Sequence, residues 1–421
     1  MIKQDATTVR GMRDFLPQDV AIRRSIQSRI QNFYASKGYG EIETPALERK
    51  ELLFGSGGGE NEKLIFKVLK RGNKLKETLE KEDDLIDCGL RFDLTLPLSR
   101  YYALHAEKLG SSFKSLHIGQ VWRAEKPQQG RFRQFTQCDI DILGESSWLA
   151  ELDLICTTAE CLIQLGFKGF EICLNHRVLL THLLISWDIP EDQHEKILIL
   201  LDKVDKIGLA NIRKELDFLN LSLNVIDQIM NWLDNPPSDV KDFITKSSNY
   251  DQQIEQVVSE LTMLTHTVEF LSNGLYKIKY DPLMIRGMGY YTGAIFEIKY
   301  RDYPYSLGGG GRYDNMIGRF LGRQVPACGF SLGFDRIVGI IEAEGLLLCH
   351  SQKGAVIVIN EISEFKNAYS LSTQLRNDFS RTLITRRSKN LKRQLSILNK
   401  DGYTVAYFIN GEEVTKREIL V

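Results

Sequence analysis

From Arg133 to Ile142 the chain alternates with a period of two, and that alternation constrains its fold more than any other stretch. In a strand, Arg133, Phe135, Gln137, Asp139 and Asp141 share one face, while Gln134, Thr136, Cys138, Ile140 and Ile142 share the other. The second face suits a core. The first carries a cation, a ring, an amide and two acids, and it reads as a binding floor; a surface hairpin with scattered charges is the alternative. Just upstream, Arg123, Lys126, Arg131 and Arg133 crowd around a Pro-Gln-Gln-Gly turn, so residues 113–144 read as two strands joined by a basic turn. Guanidinium forks match phosphate oxygens in pairs, and a ring such as Phe135 stacks on a flat base. The acids suit a second group carrying N–H donors.

The flanking patterns place this hairpin in an α+β body. Ile22, Ile26, Ile30 and Phe33 fall at helical spacing and the pattern stops at Gly38. "DCGLRFDLTLPLSRYYALH" reads as a strand leading into a helix, after a charged loop or hairpin at 69–84. From "SSWLAELDL" to about residue 275 the chain is mostly helical, and strands return from "YKIKY" to "ACGFSLGFDRIVGIIE". Beyond "SQKG" comes a strand, a helix near 364–379, a strand, a basic helix near 389–400 and the strand "TVAYFI". That alternation predicts a small α/β domain with a partly parallel sheet. The expected organisation is a body of 1–165 and 276–345, a helical insertion at 166–275 and an appendage at 353–421. A chain of 421 residues exceeds the ~250–300 at which single cores stop growing, which agrees with several domains.

Charge and cysteine usage exclude some classes. The net charge of −1 gives no whole-molecule attraction to nucleic acid, so any such contact needs a local patch. No apolar run approaches ~18 residues, so no membrane span is expected. Seven scattered cysteines without a C-x-x-C pair predict reduced thiols filling the core of a cytoplasmic protein, with no metal site.

The glycine-rich stretches add to the site. "GGGGRYD" at 308–314 lets the backbone approach something closely, or makes a turn; it is no phosphate loop, because G-x-x-x-x-G-K-[ST] is absent. "RGMGYYTG" at 286–293 sets an arginine and two tyrosines among glycines, a composition suited to a site or to a core strand.

Taken in order, these stretches resemble a class II aminoacyl-tRNA synthetase, specifically the histidyl-tRNA synthetase family. The resemblance runs from "RGMRDFLP" (10–17) to the C-terminus. "TPALE" (44–48) resembles the motif of the class II dimer interface, with Pro45, and "FDLTLP" (92–97) resembles the segment that holds the amino group of histidine. "RAEKPQQGRFRQF" (123–135) and "GFSLGFDRIV" (329–338) resemble the second and third class II motifs, and "RGMGYYTG" and "SLGGGGRYDNM" the two signatures of the histidine enzyme.

The resemblance implies a six- or seven-stranded antiparallel catalytic sheet and ATP-dependent ligation of L-histidine to tRNA(His) through a histidyl-adenylate, in a homodimer. It implies that Arg123 holds the α-phosphate of ATP and Arg336 the γ-phosphate end, with Arg131 among the ATP contacts. Phe135 would stack on adenine with Glu125 near its amino group. Asp93, Thr95 and Gln137 would bind the α-ammonium of histidine, and Asp141 with Tyr291, beside Tyr290, the imidazole. Arg286 would stabilise the charge that builds during attack, and Mg2+ would be held largely by phosphate oxygens and water. The segment "RSKNLKRQL" matches a helix of the anticodon-binding domain, which assigns Arg387, Lys392 and Arg393 to tRNA.

Three features depart from the family's common pattern. Gly289 stands where an aspartate is usual, Asp93 stands where many bacterial members carry Glu, and the chain stops early, at "EEVTKREILV", which leaves a terminal strand or helix of the appendage in doubt. The rival reading is a non-catalytic paralogue, the histidine-sensing regulatory subunit of ATP phosphoribosyltransferase. That paralogue usually lacks the appendage and the ATP-site arginines, whereas Arg123, Arg286 and Arg336 are all present here.

Overall fold

The computed structural model describes residues 5–54, 62–72, 85–128, 130–246, 251–285, 290–346 and 354–419. The chain forms two compact units, one of residues 1–13 and 28–346, the other of 14–27 and 347–421.

Why the chain turns helical at Pro17 is plain from its first turn. Proline is preset for a first helical position, and the Asp19 carboxylate accepts the Leu16 N–H at 3.1 Å. The helix Pro17–Ser36 buries Ile26, Ile30 and Phe33 as their spacing predicts, with Ile22 half-buried. It stops where Gly38 takes φ +85°, in the left-handed region that glycine enters without a Cβ clash.

In the first unit β1 (Gly40–Glu41), β2 (Leu47–Arg49), β3 (Lys67–Leu69) and β4 (Ile86–Leu90) precede the hairpin of β5 (Phe113–Trp122) and β6 (Gln134–Leu143). β7 (Glu171–His176), β8 (Lys277–Tyr280), β9 (Ala294–Lys299), β10 (Gly308–Arg312) and β11 (Ala327–Gly333) follow. One sheet runs in the order β1-β5-β6-β11-β10-β9-β7-β8, and a smaller one in the order β2-β4-β3. The six inner strands of the large sheet are antiparallel throughout. Parallel edge strands, β1 on β5 and β8 on β7, bring it to eight, one more than the resemblance implies.

The hairpin is as its alternation predicts. β5 and β6 pair without a break from Phe113↔Leu143 to Trp122↔Gln134. Cys138, Ile140 and Ile142 are buried on the core face. The helix Leu149–Gln164 packs against β11 and β6, burying Leu154, Ile155, Cys161 and Leu162.

The stretch 166–275 is mostly helical, as expected, but it also supplies β7, whose residues Ile172 to Asn175 are all buried. Five longer helices follow, Arg177–Ser186, Glu191–Leu201, Leu209–Asp217, Leu223–Asp234 and Gln252–Ser272. Ser222 and Asp251 cap two of them by accepting the N–H groups of Val225 (3.3 Å) and Ile254 (3.0 Å).

The second unit has β12 (Gly354–Ile359), β13 (Arg381–Arg386), β14 (Tyr403–Asn410) and β15 (Glu413–Glu418), in the order β13-β12-β14-β15. β12 lies parallel to both neighbours, as the βαβαβ pattern predicts, with helices Phe365–Leu375 and Leu391–Lys400 between the parallel strands. β15 is an additional antiparallel edge strand formed by the last residues described.

Among the described residues no helix is long and apolar enough to cross a membrane. Cys138, Cys161, Cys173 and Cys328 are buried and Cys88 and Cys156 half-buried, all as free thiols; Cys349 lies outside the described residues.

Candidate active site

The floor of the site is set by register. Asp141 lies opposite Gly329, Asp139 opposite Ser331 and Gln137 opposite Gly333 on β11. Beyond β11 the next strand is the glycine run itself, with Gly309 opposite Ser331 and Gly311 opposite Gly329. Small residues beside the acids leave the floor bare. A Cβ on Gly329 would lie 1.9 Å from Asp141 Oδ1, and one on Gly311 would meet the Tyr291 ring at 3.0 Å. The glycine run is thus an inner strand under a close approach, and the turn reading fails.

Over this floor opens a cleft of about 350 Å³. It brings together Arg123, Glu125, Arg131, Phe135, Gln137, Tyr290, Tyr291 and Arg336, eight residues assigned to a site from the sequence. Arg336 stands in the first turn of the helix Phe334–Glu344. Its Nε donates to Gly130 O at 3.2 Å and its Nη1 to Ser306 O at 2.9 Å. Burial lowers its affinity for a proton, and repulsion from Arg131 and then Arg123 lowers it further. Arg123 donates from Nε to Phe92 O at 2.9 Å and lies over the Phe135 ring, 5.1 Å from its centroid. Arg123 and Arg336 are held by neutral carbonyls, and with Arg131 they gather three guanidiniums against their mutual repulsion, an arrangement for an anion. The basic turn closes through paired Gln128 and Arg131 backbone bonds, with Arg131 3.8 Å from Glu125.

The acids are buried. Asp93, just ahead of the helix Thr95–His105, accepts the Leu96 N–H at 3.2 Å, and burial raises its pKa to about 6 against the pull of that bond and of Arg123. Thr95 is half-buried at the head of that helix. Asp141 accepts the Tyr313 hydroxyl at 2.6 Å, and burial raises its pKa to about 7. Asp139 is pushed well above the carboxylate range by burial, then by Asp141. Among the described residues its Oδ1 and the Oε1 of Gln137 find no hydrogen-bond partner, while Gln137 Nε2 donates to Ser331 Oγ at 2.8 Å. Gln137 lines the cleft and the three acids do not; these reluctant carboxyls, with the bare oxygens of Gln137 and Asp139 on one strand face, suit a group carrying several N–H donors.

Tyr313 and Ser331 belong to this site and escaped sequence reading, although "GRYD" lies inside a stretch already singled out. Buried His117, facing Asp139 across β5 and β6, escaped as well; burial and Arg91 lower its pKa to about 3. Arg286 and Gly289 lie outside the described residues. In the second unit Arg387, Lys392 and Arg393 are exposed. Arg387 follows β13, and Lys392 and Arg393 open the helix Leu391–Lys400, whose cap is the Asn390 side chain accepting Arg393 N–H at 3.1 Å.

Comparison with known proteins gives the family. The family described as histidyl-tRNA synthetase matches residues 11–337. A histidine–tRNA ligase of Leifsonia xyli subsp. xyli is 40% identical over 416 residues, covering 96% of this chain and 96% of that protein. One of Rhodopirellula baltica is 32% identical over 413 residues, covering 96% and 90%. Among solved structures, histidyl-tRNA synthetase from Nostoc sp. PCC 7120 superposes with a TM-score of 0.75 at 26% identity, over 99% of this chain and 97% of that one.

Proposed function

The chain belongs to the histidyl-tRNA synthetase family, and from that membership we infer that it joins L-histidine to tRNA(His) in an ATP-dependent reaction through a histidyl-adenylate. The observation that carries this reading is the cleft that unites Arg123, Arg131 and Arg336 with Phe135 and Gln137 on one face of the sheet.

In this reading the histidine carboxylate attacks the α-phosphorus of ATP and pyrophosphate leaves; the terminal ribose hydroxyl of tRNA then takes the histidyl group and AMP leaves. The chain supplies no covalent nucleophile. It supplies orientation and a concentrated positive field. Arg123 holds the α-phosphate, Arg336 and Arg131 the triphosphate, Phe135 the adenine and Glu125 its amino group. Asp93, Thr95 and Gln137 take the α-ammonium, Asp141, Tyr290 and Tyr291 the imidazole, and Arg286 the developing charge. Of the two acids lining the cleft, Asp335 has both oxygens engaged and Glu125 lies 3.8 Å from Arg131, so Mg2+ would arrive on the triphosphate.

We assign the catalytic body to 1–165 and 276–345 together with β7, the insertion to the remaining, helical part of 166–275, and anticodon binding to 353–421 through Arg387, Lys392 and Arg393. A homodimer fits an exposed groove of about 850 Å³ that includes Pro45, Leu47, Leu104 and Phe320. A cytoplasmic location fits the free thiols. The regulatory-subunit reading is disfavoured, because Arg123 and Arg336 share one cleft and an α/β second unit is present. Histidine-dependent ATP–pyrophosphate exchange by the purified chain tests the assignment; absence of exchange refutes it.

A further inference from the structure

Ahead of the first helix, the segment "RGMR" at 10–13 lies against the basic turn. Gly11 O accepts the Arg133 N–H at 2.8 Å. Gly11 itself sits at φ +86°, and a Cβ there would come within 2.7 Å of Pro127 Cγ and 2.9 Å of Arg133 Cγ. No side chain fits between the segment and the turn. Arg13 completes the packing: its Cζ lies 3.4 Å from the centroid of the Phe132 ring, and its Nη2 donates to Asp335 Oδ1 at 2.7 Å. The other oxygen, Asp335 Oδ2, accepts the Thr136 N–H at 2.8 Å.

Phe132 and Asp335 both line the cleft, and Asp335 precedes Arg336 in the chain. An acid in the wall of a triphosphate pocket opposes its ligand unless its charge is answered. The Asp335 side chain is only 5% exposed, so water screens it poorly, whereas Arg13 is 38% exposed and reaches it from the rim. One guanidinium thus does two things. It cancels the acid beside Arg336, and its flat face presses on Phe132, a second wall residue.

Given ATP as the ligand of this cleft, as proposed above, we infer that Arg13 is a positioning residue of the nucleotide site. It touches no substrate atom. It acts through Asp335 and Phe132, holding the turn at 127–133 open to phosphate and keeping the wall beside Arg336 neutral.

The test is histidine-dependent pyrophosphate exchange by the full chain, with the KM for ATP and for histidine measured separately and a thermal melt for each variant. Arg13→Ala is expected to raise the ATP KM roughly tenfold, the worth of one charge-assisted hydrogen bond, and to leave the histidine KM within about twofold. Adding Asp335→Asn to Arg13→Ala should return most of the ATP affinity, because a neutral amide needs no counter-cation. Arg13→Lys should restore part, since it keeps the charge without the flat stack. An unchanged ATP KM in Arg13→Ala overturns the inference. So does a double variant no better than the single, or a parallel rise in both KM values with a lowered melting temperature. No exchange by the unaltered chain overturns the functional reading and this inference together; normal exchange with an indifferent Arg13→Ala overturns this inference alone.

Discussion

The Tyr313 hydroxyl donates to Asp141 Oδ1 at 2.6 Å, joining the residue just past β10 to the acid expected to meet imidazole. That bond orients the carboxylate and holds its pKa below where burial alone would put it. Tyr313→Phe removes the donor and keeps the ring. The expected result is a histidine KM raised about fivefold, the equivalent of about 1 kcal/mol for one hydrogen bond, with ATP little affected. Equal damage to both substrates in steady-state kinetics would count against the assignment.

The pH dependence follows from Asp141, near 7, and Asp93, near 6. Both are raised, so both hold a proton as pH falls through those values. A bound cation requires them ionised, and the histidine KM should climb by up to about tenfold per pH unit between about pH 7 and 6, and by up to about a hundredfold per unit below that, where Asp93 is protonated too. Free histidine titrates near ~6.5 as well, so the protein's part is read as a difference. Tyr313→Phe should move the rise to higher pH, since its hydroxyl lowers the Asp141 value. Superimposable profiles would exclude Asp141 from the effect.

Arg336 is already crowded by Arg131 and Arg123, so a polyanion relieves repulsion as it binds. Arg336→Gln should raise the ATP KM by about tenfold or more and leave the histidine KM nearly unchanged. Isothermal titration with an ATP analogue checks this; unaltered affinity would remove Arg336 from the phosphate contacts.

Leu104 is 70% exposed on the groove beside Pro45. An apolar side chain so placed fits a closed two-fold contact. Sedimentation should give about twice the 48.2 kDa chain mass, and Leu104→Arg should shift it toward monomer. A monomer in the unaltered protein would end the proposal.

Replacing Arg387, Lys392 and Arg393 together by alanine should weaken tRNA binding and flatten its salt dependence, by about 0.7–0.9 in log–log slope for each phosphate left without its cation. Pyrophosphate exchange should be untouched. Normal charging at every salt concentration would mean that these exposed cations only solvate the helix.

What the sequence disclosed followed from whether burial left a period. β6 was legible because its two faces differ in chemistry. β7 was not, because Ile172 to Asn175 are all buried and read like the helices around them. β15 escaped for the opposite reason: every residue from Glu413 to Glu418 is exposed. The cleft residues stood out as cations and rings in odd places. The Arg13–Asp335 pair spans 322 positions, and no local pattern announces a pairing of that length.

β10 carries a consequence for how the protein folds. Its four glycines, Gly308 to Gly311, contribute no side chain to collapse, and each costs about 0.5–1 kcal/mol relative to alanine in ordering entropy. Nor can a side chain be added, since a Cβ on Gly310 would stand 2.0 Å from Gly329 O. Such a strand cannot nucleate structure. It enters the sheet when β9 and β11 are ready to bond it from both sides. In refolding, protection of the 308–311 amides from exchange should therefore appear after that of the β5–β6 hairpin, and competence to bind nucleotide with it.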